Sequence, residues 1–323
     1  MVDWIVTHGD TDGICSGAIA LSAFREARVY FSHPTGLAED LRQVDGDFLI
    51  CDIAIPQHSL GGVTEQLRRL EAAGHSGTYI DHHPLPLGFV ETDFPAELVH
   101  SLCSCGAEQT YTRFENSLGR DLSRVAIYGA IGDYLDNTHE IQRLLTRWDK
   151  RHLYLEAGLL IEYIDSIGRN HDLKRRLVQF LSANHLPSSD EVLVHKAISE
   201  ALKDEWMRTK VKELVKLDGG VAYLLDADWS LSKGAIYARA EADAKVGIGA
   251  EKRKGFVEMS LRTPSDVIDL NRIVSEITPA LGGSGGGHAK AAGARVPLEK
   301  WQQFLSDLNS AIEASSAGST MEY

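Results

Sequence analysis

Three short apolar runs in the first ninety residues each stop at acids or histidines. Residues 2–7 (VDWIVT) lead into His8, Gly9 and Asp10, residues 47–54 (DFLICDIA) carry Asp52, and residues 77–83 (GTYIDHH) end in Asp81, His82 and His83. Runs that stay apolar at consecutive positions suit strands covered on both faces, as in a parallel sheet. Helix-like text separates them: 15–26, with small residues first, and a stretch around 63–73. One more strand run, VYFSH at 29–33, completes the order strand, helix, strand, strand, helix, strand. That order predicts an α/β domain. Open α/β sheets bind ligands beyond the C-terminal ends of their strands, which is where the acids and histidines collect.

Residues 106–118 and 121–132 read as helices, the second running into GAIGDYLDNT with Asp133 and Asp136. The text from 139 to 217 is mostly helical, broken at NHLPSSDE (184–191). There Pro187 stops one helix, and Ser188, Ser189 and Asp190 offer an N-cap for the next. From 218 the texture changes. GGVAYLLDA (219–227) is strand-like, KGAIYARAEADA (233–244) is helical, and 246–263 reads as a hairpin turning at 251–255. A helix at 270–281, the stretch LGGSGGGHAKAAGARV and a closing helix with Trp301 and Phe304 follow. The chain is expected to divide into a metal-binding domain (1–185), a helical linker (186–218), a smaller α/β domain (219–314) and a disordered Ser/Gly-rich tail (315–323).

Charge and composition narrow the function. The chain has 323 residues, 43% of them hydrophobic, and a formal net charge of −13. That opposes a broad basic surface gripping long nucleic acid by counterion release. It leaves phosphate substrates open, because bound metal can neutralise phosphate. The start, MVDWIVTHGD, lacks a basic region and a long apolar run, so no signal peptide is expected. No stretch approaches the roughly 18 apolar residues of a membrane span, so no membrane partner is expected. Four cysteines in core-like elements or a small-residue loop point to a reduced, cytoplasmic protein. Cys103-x-Cys105 has no second pair to complete a zinc site, and the loop at 101–105 reads as structural.

His8, Asp10 and Asp12 alternate, so in an extended chain they would point the same way. Left bare, such groups repel; a divalent cation makes the crowding favourable. The plainer alternative is an N-capping Asp with a neighbour. Adding Asp52, Asp81, His82, His83 and Asp133 or Asp136 gives enough ligands for two ions. Imidazole and carboxylate without thiolate suit Mn, Fe or Co over structural Zn, and paired ions clamp the oxygens of a phosphoryl transfer. At 282–287, five glycines surround one serine ahead of His288 and Lys290. Such a stretch reads as an anion-binding loop with a helix starting just after it, or else as a flexible linker. Arg262 closes a predicted strand, and Lys233 is a weaker anion-binding candidate.

HGDTDG upstream of a strand-terminal DHH resembles the DHH phosphoesterase superfamily. That group includes RecJ-like exonucleases, the nanoRNase and pAp phosphatase group, cyclic-dinucleotide phosphodiesterases and family II pyrophosphatases. GGSGGGHAKAAGA resembles the GGGH motif of the DHH-associated domain, which points away from the pyrophosphatase branch. The wording is nearest to small archaeal RecJ-like proteins, and 139–217 matches only loosely. The implied fold is a parallel-sheet DHH domain joined by a helical linker to a smaller α/β DHH-associated domain. The resemblance implies that His8, Asp10 and Asp52 hold one ion, and that Asp12, Asp52, His82 and Asp133 hold the other, with Asp52 bridging. Asp133 is preferred over Asp136 because Gly129-x-x-x-Asp133 keeps the rhythm of the family's fourth motif. The tyrosine and asparagine around it depart from the DTG wording of the nanoRNase group. His83 would sit by the substrate phosphate, with Asp81 orienting the pair.

Arg262, Gly285, Gly286, Gly287, His288 and Lys290 would hold a further phosphate or terminal nucleotide. The implied cofactors are two divalent ions, Mn2+ first, with Mg2+ or Co2+ as substitutes. The implied activity is a phosphodiesterase acting as an exonuclease on single-stranded DNA, RNA or short oligonucleotides and releasing 5′-mononucleotides. Compact size leans it towards 3′→5′. One rival is a small-substrate enzyme, a pAp phosphatase or cyclic-dinucleotide phosphodiesterase, which the acidic charge favours. Another is an inactive scaffold of a replication or repair complex, which the filled ligand positions oppose. Single-stranded nucleic acid or an oligonucleotide is the expected partner, with a homodimer and a replication or repair protein left open.

Overall fold

The computed structural model describes residues 2–318 and divides between Glu200 and Ala201 into two units. The first begins β1 (Trp4–Thr7), α1 (Thr11–Ala23), β2 (Arg28–Phe31), α2 (Leu37–Asp40), β3 (Phe48–Cys51), α3 (Leu60–Ala72), β4 (Gly77–Asp81) and β5 (Glu97–His100). These strands form one sheet in the order β2-β1-β3-β4-β5, every neighbouring pair parallel. Alternate strand residues feed two different cores. Ile5, Leu49 and Ile80 pack with α1 residues such as Ile14 and Ile19, while Val6, Phe48, Ile50 and Tyr79 pack with Val63, Leu67 and Leu70 of α3. That is why these strands are apolar at nearly every position. Each such side chain taken fully out of water contributes about 1.5–3 kcal/mol.

Helices α4 (Gly106–Phe114), α5 (Ser123–Gly132), α6 (His139–Leu145), α7 (Lys150–Ile167) and α8 (His171–Ser182) extend the first core. Helix α9 (Glu191–Leu214) contains the division. Its Leu193 and Ala197 join the first unit's core, and its Met207 and Val211 pack with Ala222, Leu224 and Ala238 of the second.

The second unit continues with β6 (Lys216–Asp218), β7 (Val221–Leu225), α10 (Leu231–Ala242), β8 (Val246–Arg253), β9 (Phe256–Arg262), α11 (Leu270–Ala280), β10 (Ser284–Gly287), β11 (Ala291–Pro297) and α12 (Trp301–Gly318). Its six-stranded sheet runs β10-β11-β9-β8-β7-β6, with only β7 and β8 parallel. Helix α10 lies directly on β8 because Gly247 and Gly249 have no side chains. A Cβ on either would come within 1.9 Å of the Ala235 carbonyl oxygen or 2.1 Å of that of Leu231.

The architecture is the expected α/β class, and several local expectations change. Helix α1 begins at Thr11 rather than at 15, because the Asp10 side chain caps it by accepting from the Gly13 N–H. Asp12 is therefore in a helical turn, and the extended alternation of His8, Asp10 and Asp12 does not exist. The β4 strand ends at Asp81, leaving His82 and His83 beyond it. The glycine run is not a loop before a helix: Ser284–Gly287 is strand β10, paired antiparallel to β11. Helix α12 continues through Gly318, so the expected tail starts inside it, and 319–323 lie outside the described residues. No helix among the described residues is long and apolar enough to cross a membrane.

Candidate metal centre

The sheet order places β1 beside both β2 and β3, so the chain leaves the middle of the sheet in opposite directions. Ligands settle in open α/β sheets at such switch points. In register, Thr7 pairs with Cys51 and Cys51 with Ile80. His8 and Asp10, Asp52, and His82 thus leave three adjacent strand ends. Asp52 turns out of β3 with φ 56°, a left-handed conformation that aspartate tolerates better than most residues.

One atom each from His8, Asp10 and Asp52 lies within 4.8 Å of the others, and the same holds for Asp12, Asp52 and His82. Asp52 belongs to both groups. His82 Nε2 is 3.2 Å from Asp52 Oδ1, 3.7 Å from Asp12 Oδ2 and 3.6 Å from Asp133 Oδ2. His8 Nδ1 is 2.8 Å from Asp10 Oδ2. The structure therefore gathers His8, Asp10, Asp12, Asp52, His82 and Asp133. Asp136 instead bonds through its carboxylate to the Tyr154 hydroxyl.

Asp52 is 2% exposed and its Oδ2 makes no hydrogen bond. Burial, then the carboxylates of Asp10, Asp12, Asp133 and Asp81, push its pKa well above the usual carboxylate range. Burial also raises Asp12, although His82 opposes the shift. Both Asp12 oxygens are held: Gly106 N–H donates at 2.6 Å and Ala107 N–H at 2.9 Å. These are free donors of the first turn of α4, which favours negative charge. A buried, unbonded oxygen among mutually repelling carboxylates, joined by imidazoles and no thiolate, fits divalent cations.

His83 Nδ1 lies 2.8 Å from Asp81 Oδ1. Burial works against the His83 charge, but Asp81 wins, and the imidazole pKa rises to about 9. Asp81, also opposed by burial, is held below its ordinary value by His83. His100 Nε2 lies 2.7 Å from the His83 carbonyl oxygen and fixes the backbone there.

Sequence reasoning missed the groups that hold these side chains. The N–H groups of Gly106 and Ala107 carry no residue-type signal. Lys174 of α8 donates its Nζ to the Gly9 carbonyl, inside the turn between His8 and Asp10, from a stretch that resembled the family only loosely. Cys105 is buried and its Sγ accepts from the Glu108 N–H at 3.4 Å, whereas Cys103 is exposed. Gly129 of α5 packs against the same place: a Cβ there would fall 2.5 Å from Ala107 Cβ and 2.8 Å from Asp12 Oδ1. Gly129→Ala is expected to destabilise the fold by about 1–3 kcal/mol through overpacking. Urea unfolding checks this, and unchanged stability would mean that Asp12 and α4 can move aside freely.

In the second unit, Arg262 ends β9 opposite Ala291 of β11 and Gly247 of β8. The turn at 288–290 lies at that same end of the sheet. The Arg262 guanidinium donates to Ser260 Oγ at 2.8 Å, to the Leu261 carbonyl at 2.8 Å and to Ser232 Oγ at 2.6 Å. Gly285, Gly286 and Gly287 pair with β11, and the Gly287 N–H also donates to Asn271 Oδ1 at 3.0 Å. The His288 N–H donates to the Ala291 carbonyl at 2.8 Å, and exposed Lys290 pairs with Asp266 at 2.6 Å. Lys233, the weaker candidate, pairs with Asp204.

Residues 4–133 match the DHH family, N-terminal domain, and residues 221–314 match the DHHA1 domain. No curated protein sequence matches significantly. Among solved structures, the pGpG-specific phosphodiesterase PggH from Vibrio cholerae superposes with TM-score 0.57 at 13% identity, over 97% of this chain and 99% of that one. RecJ from Thermus thermophilus, in complex with Mn2+, gives 0.63 at 17% identity over 96% of this chain and 52% of its own. CDC45 from Entamoeba histolytica gives 0.59 at 9% identity over 96% and 95%. At such identities these likenesses show the fold. The two matched domains and the DHH residues at the strand ends make the chain a member of the DHH phosphoesterase superfamily, with an N-terminal DHH domain and a C-terminal DHHA1 domain.

Proposed function

We propose that the protein is a two-metal phosphodiesterase that shortens single-stranded nucleic acid or short oligonucleotides and releases 5′-mononucleotides, with a lean to 3′→5′. The observation that carries this reading is the sharing of Asp52 by two ligand groups, with one buried oxygen left unbonded. His8, Asp10 and Asp52 would hold one ion, and Asp12, Asp52, His82 and Asp133 the other, with Mn2+ the best match and Mg2+ or Co2+ acceptable. Bound there, the ions would supply charge neutralisation at the phosphoester and ready deprotonation of water at neutral pH.

The chain's own residues supply the rest. His83, kept protonated by Asp81, donates a hydrogen bond to a phosphate oxygen or a proton to the leaving oxygen. Asp81 locks the ring's orientation through Nδ1. Arg262, with Gly285, Gly286, Gly287, His288 and Lys290, is proposed to bind a further phosphate or terminal nucleotide. Arg262's bonds to two serine hydroxyls are ones a phosphate could replace. The four free cysteines support a reducing, cytoplasmic setting.

A second reading, a small-substrate phosphoesterase, is favoured by the net charge of −13 and by end-to-end correspondence with the pGpG-specific enzyme. Single-stranded RNA and DNA labelled at the 5′ end, incubated with Mn2+, separate the two. Stepwise shortening is expected for a 3′→5′ exonuclease, and an immediate labelled mononucleotide for the opposite polarity. If both polymers stay intact while dinucleotides or 3′-phosphoadenosine 5′-phosphate are consumed, the small-substrate reading replaces this one.

A further inference from the structure

Tyr134 follows Asp133 directly, so its Cα lies about 3.8 Å from that of a proposed metal ligand. Its side chain is 75% exposed, and among the described residues that side chain has no hydrogen bond or ring contact. Its backbone is left-handed, with φ 58°. The local cause is the end of α5, where the Leu135 N–H donates to the Ala130 carbonyl at 2.8 Å. That six-to-one bond marks a helix terminus whose left-handed position usually carries glycine or asparagine. A bulky residue there crowds its own Cβ against the carbonyl that follows and is a genuine outlier. The helix-end bond offsets part of this cost, and among the described residues the side chain adds no hydrogen bond or ring contact of its own. Strain of this kind, held beside a reactive centre, points to use.

We propose that Tyr134 is a stacking platform for the nucleobase adjoining the scissile phosphate; this rests on the phosphodiesterase reading above. An exposed aromatic face accepts any base with little sequence preference. It selects for nucleotide over other phosphoesters, which the charge-based metal ligands cannot do. The proposal also gives a reason for the departure from the DTG wording at this position.

The test uses the full-length protein, Tyr134→Gly and Tyr134→Phe. Each is assayed with Mn2+ on a dinucleotide and on the same compound lacking one base, and each is melted. Tyr134→Gly is expected to melt higher, because glycine adopts the left-handed position freely. Its KM for the dinucleotide should rise about 5- to 100-fold while KM for the base-free compound stays put. Tyr134→Phe, which keeps the ring, should restore the wild-type discrimination. A purely structural residue would not raise stability and lose base discrimination together. Unchanged discrimination in Tyr134→Gly, or an equal loss on both substrates, overturns the proposal. If the wild type cleaves neither compound, the phosphodiesterase reading fails by itself. Equilibrium binding of the same pair then decides Tyr134, and equal dinucleotide affinity in wild type and Tyr134→Gly overturns it.

Discussion

Asp52→Asn is expected to lose hydrolysis by at least about 100-fold and, without metal, to unfold at a higher temperature than the wild type. The first effect follows from geometry. Asp52 belongs to both ligand groups, so the substitution weakens both proposed ions at once. Loss of an outer partner of a metal ligand already costs roughly 10- to 100-fold, so the upper end of that range serves as a lower bound for a shared ligand. The second effect comes from the same burial. Asp52 is 2% exposed and surrounded by the carboxylates of Asp10, Asp12, Asp81 and Asp133. A neutral amide of the same shape removes that repulsion. If relief is worth ~1 kcal/mol, melting of a domain of this size shifts up by about 2–4 °C. Rates with Mn2+ and melting curves in EDTA measure the two arms. A variant that stays active, or that melts lower in EDTA, removes Asp52 from the centre of the site.

The metal-free protein is expected to lose stability as pH rises from about 6 to 9, and Mn2+ is expected to restore it increasingly over the same range. His83 has a folded pKa of about 9 against an ordinary 6.5. Its contribution is complete below the ordinary value and gone above the folded one, an effect of at most about 3 kcal/mol. Asp52 and Asp12 are also raised, by burial first, and Asp52 further by its acidic neighbours. Their stabilising contribution is present below the ordinary carboxylate range and is lost as pH rises through their folded values, so the sign is the same. Asp81 is lowered and acts oppositely, destabilising only as pH falls below its ordinary 3.8. Metal needs its ligands deprotonated, so its affinity grows with pH, and excess ion stabilises the native state by mass action. Melting temperatures at about pH 6, 7.5 and 9, in EDTA and in Mn2+, give both trends. A metal-free protein that becomes more stable with pH would contradict the buried-carboxylate account.

The strands that carry the centre were legible because each is buried on both faces and so is apolar throughout. β5 was not: ELVH is an edge strand, and its Glu97 bonds outward to Thr78 and Arg113. The residue types at the centre were legible, but their local geometry was not. Asp10 both caps α1 and meets His8, two roles that look alike in a sequence. Glycines have no side-chain periodicity, so β10 could be recognised only through its pairing with β11. The main-chain donors to Asp12 and the lysine at Gly9 come from segments far along the chain, and no local pattern announces them.

The parallel sheet also sets the order in which the centre can exist. His8, Asp10 and Asp12 share one stretch, while Asp52, His82 and Asp133 each come from another, and each neighbouring strand pair is closed by a crossover rather than a hairpin. Such non-local pairings form late and slowly. During synthesis, a nascent chain that has just emerged through His82 would hold Asp10 and Asp12, which follow β1, and Asp52, which follows β3, but not Asp133. On the proposed ligand sets, the first ion would have all its ligands once Asp52 is made, while the second would wait for Asp133 at the end of α5.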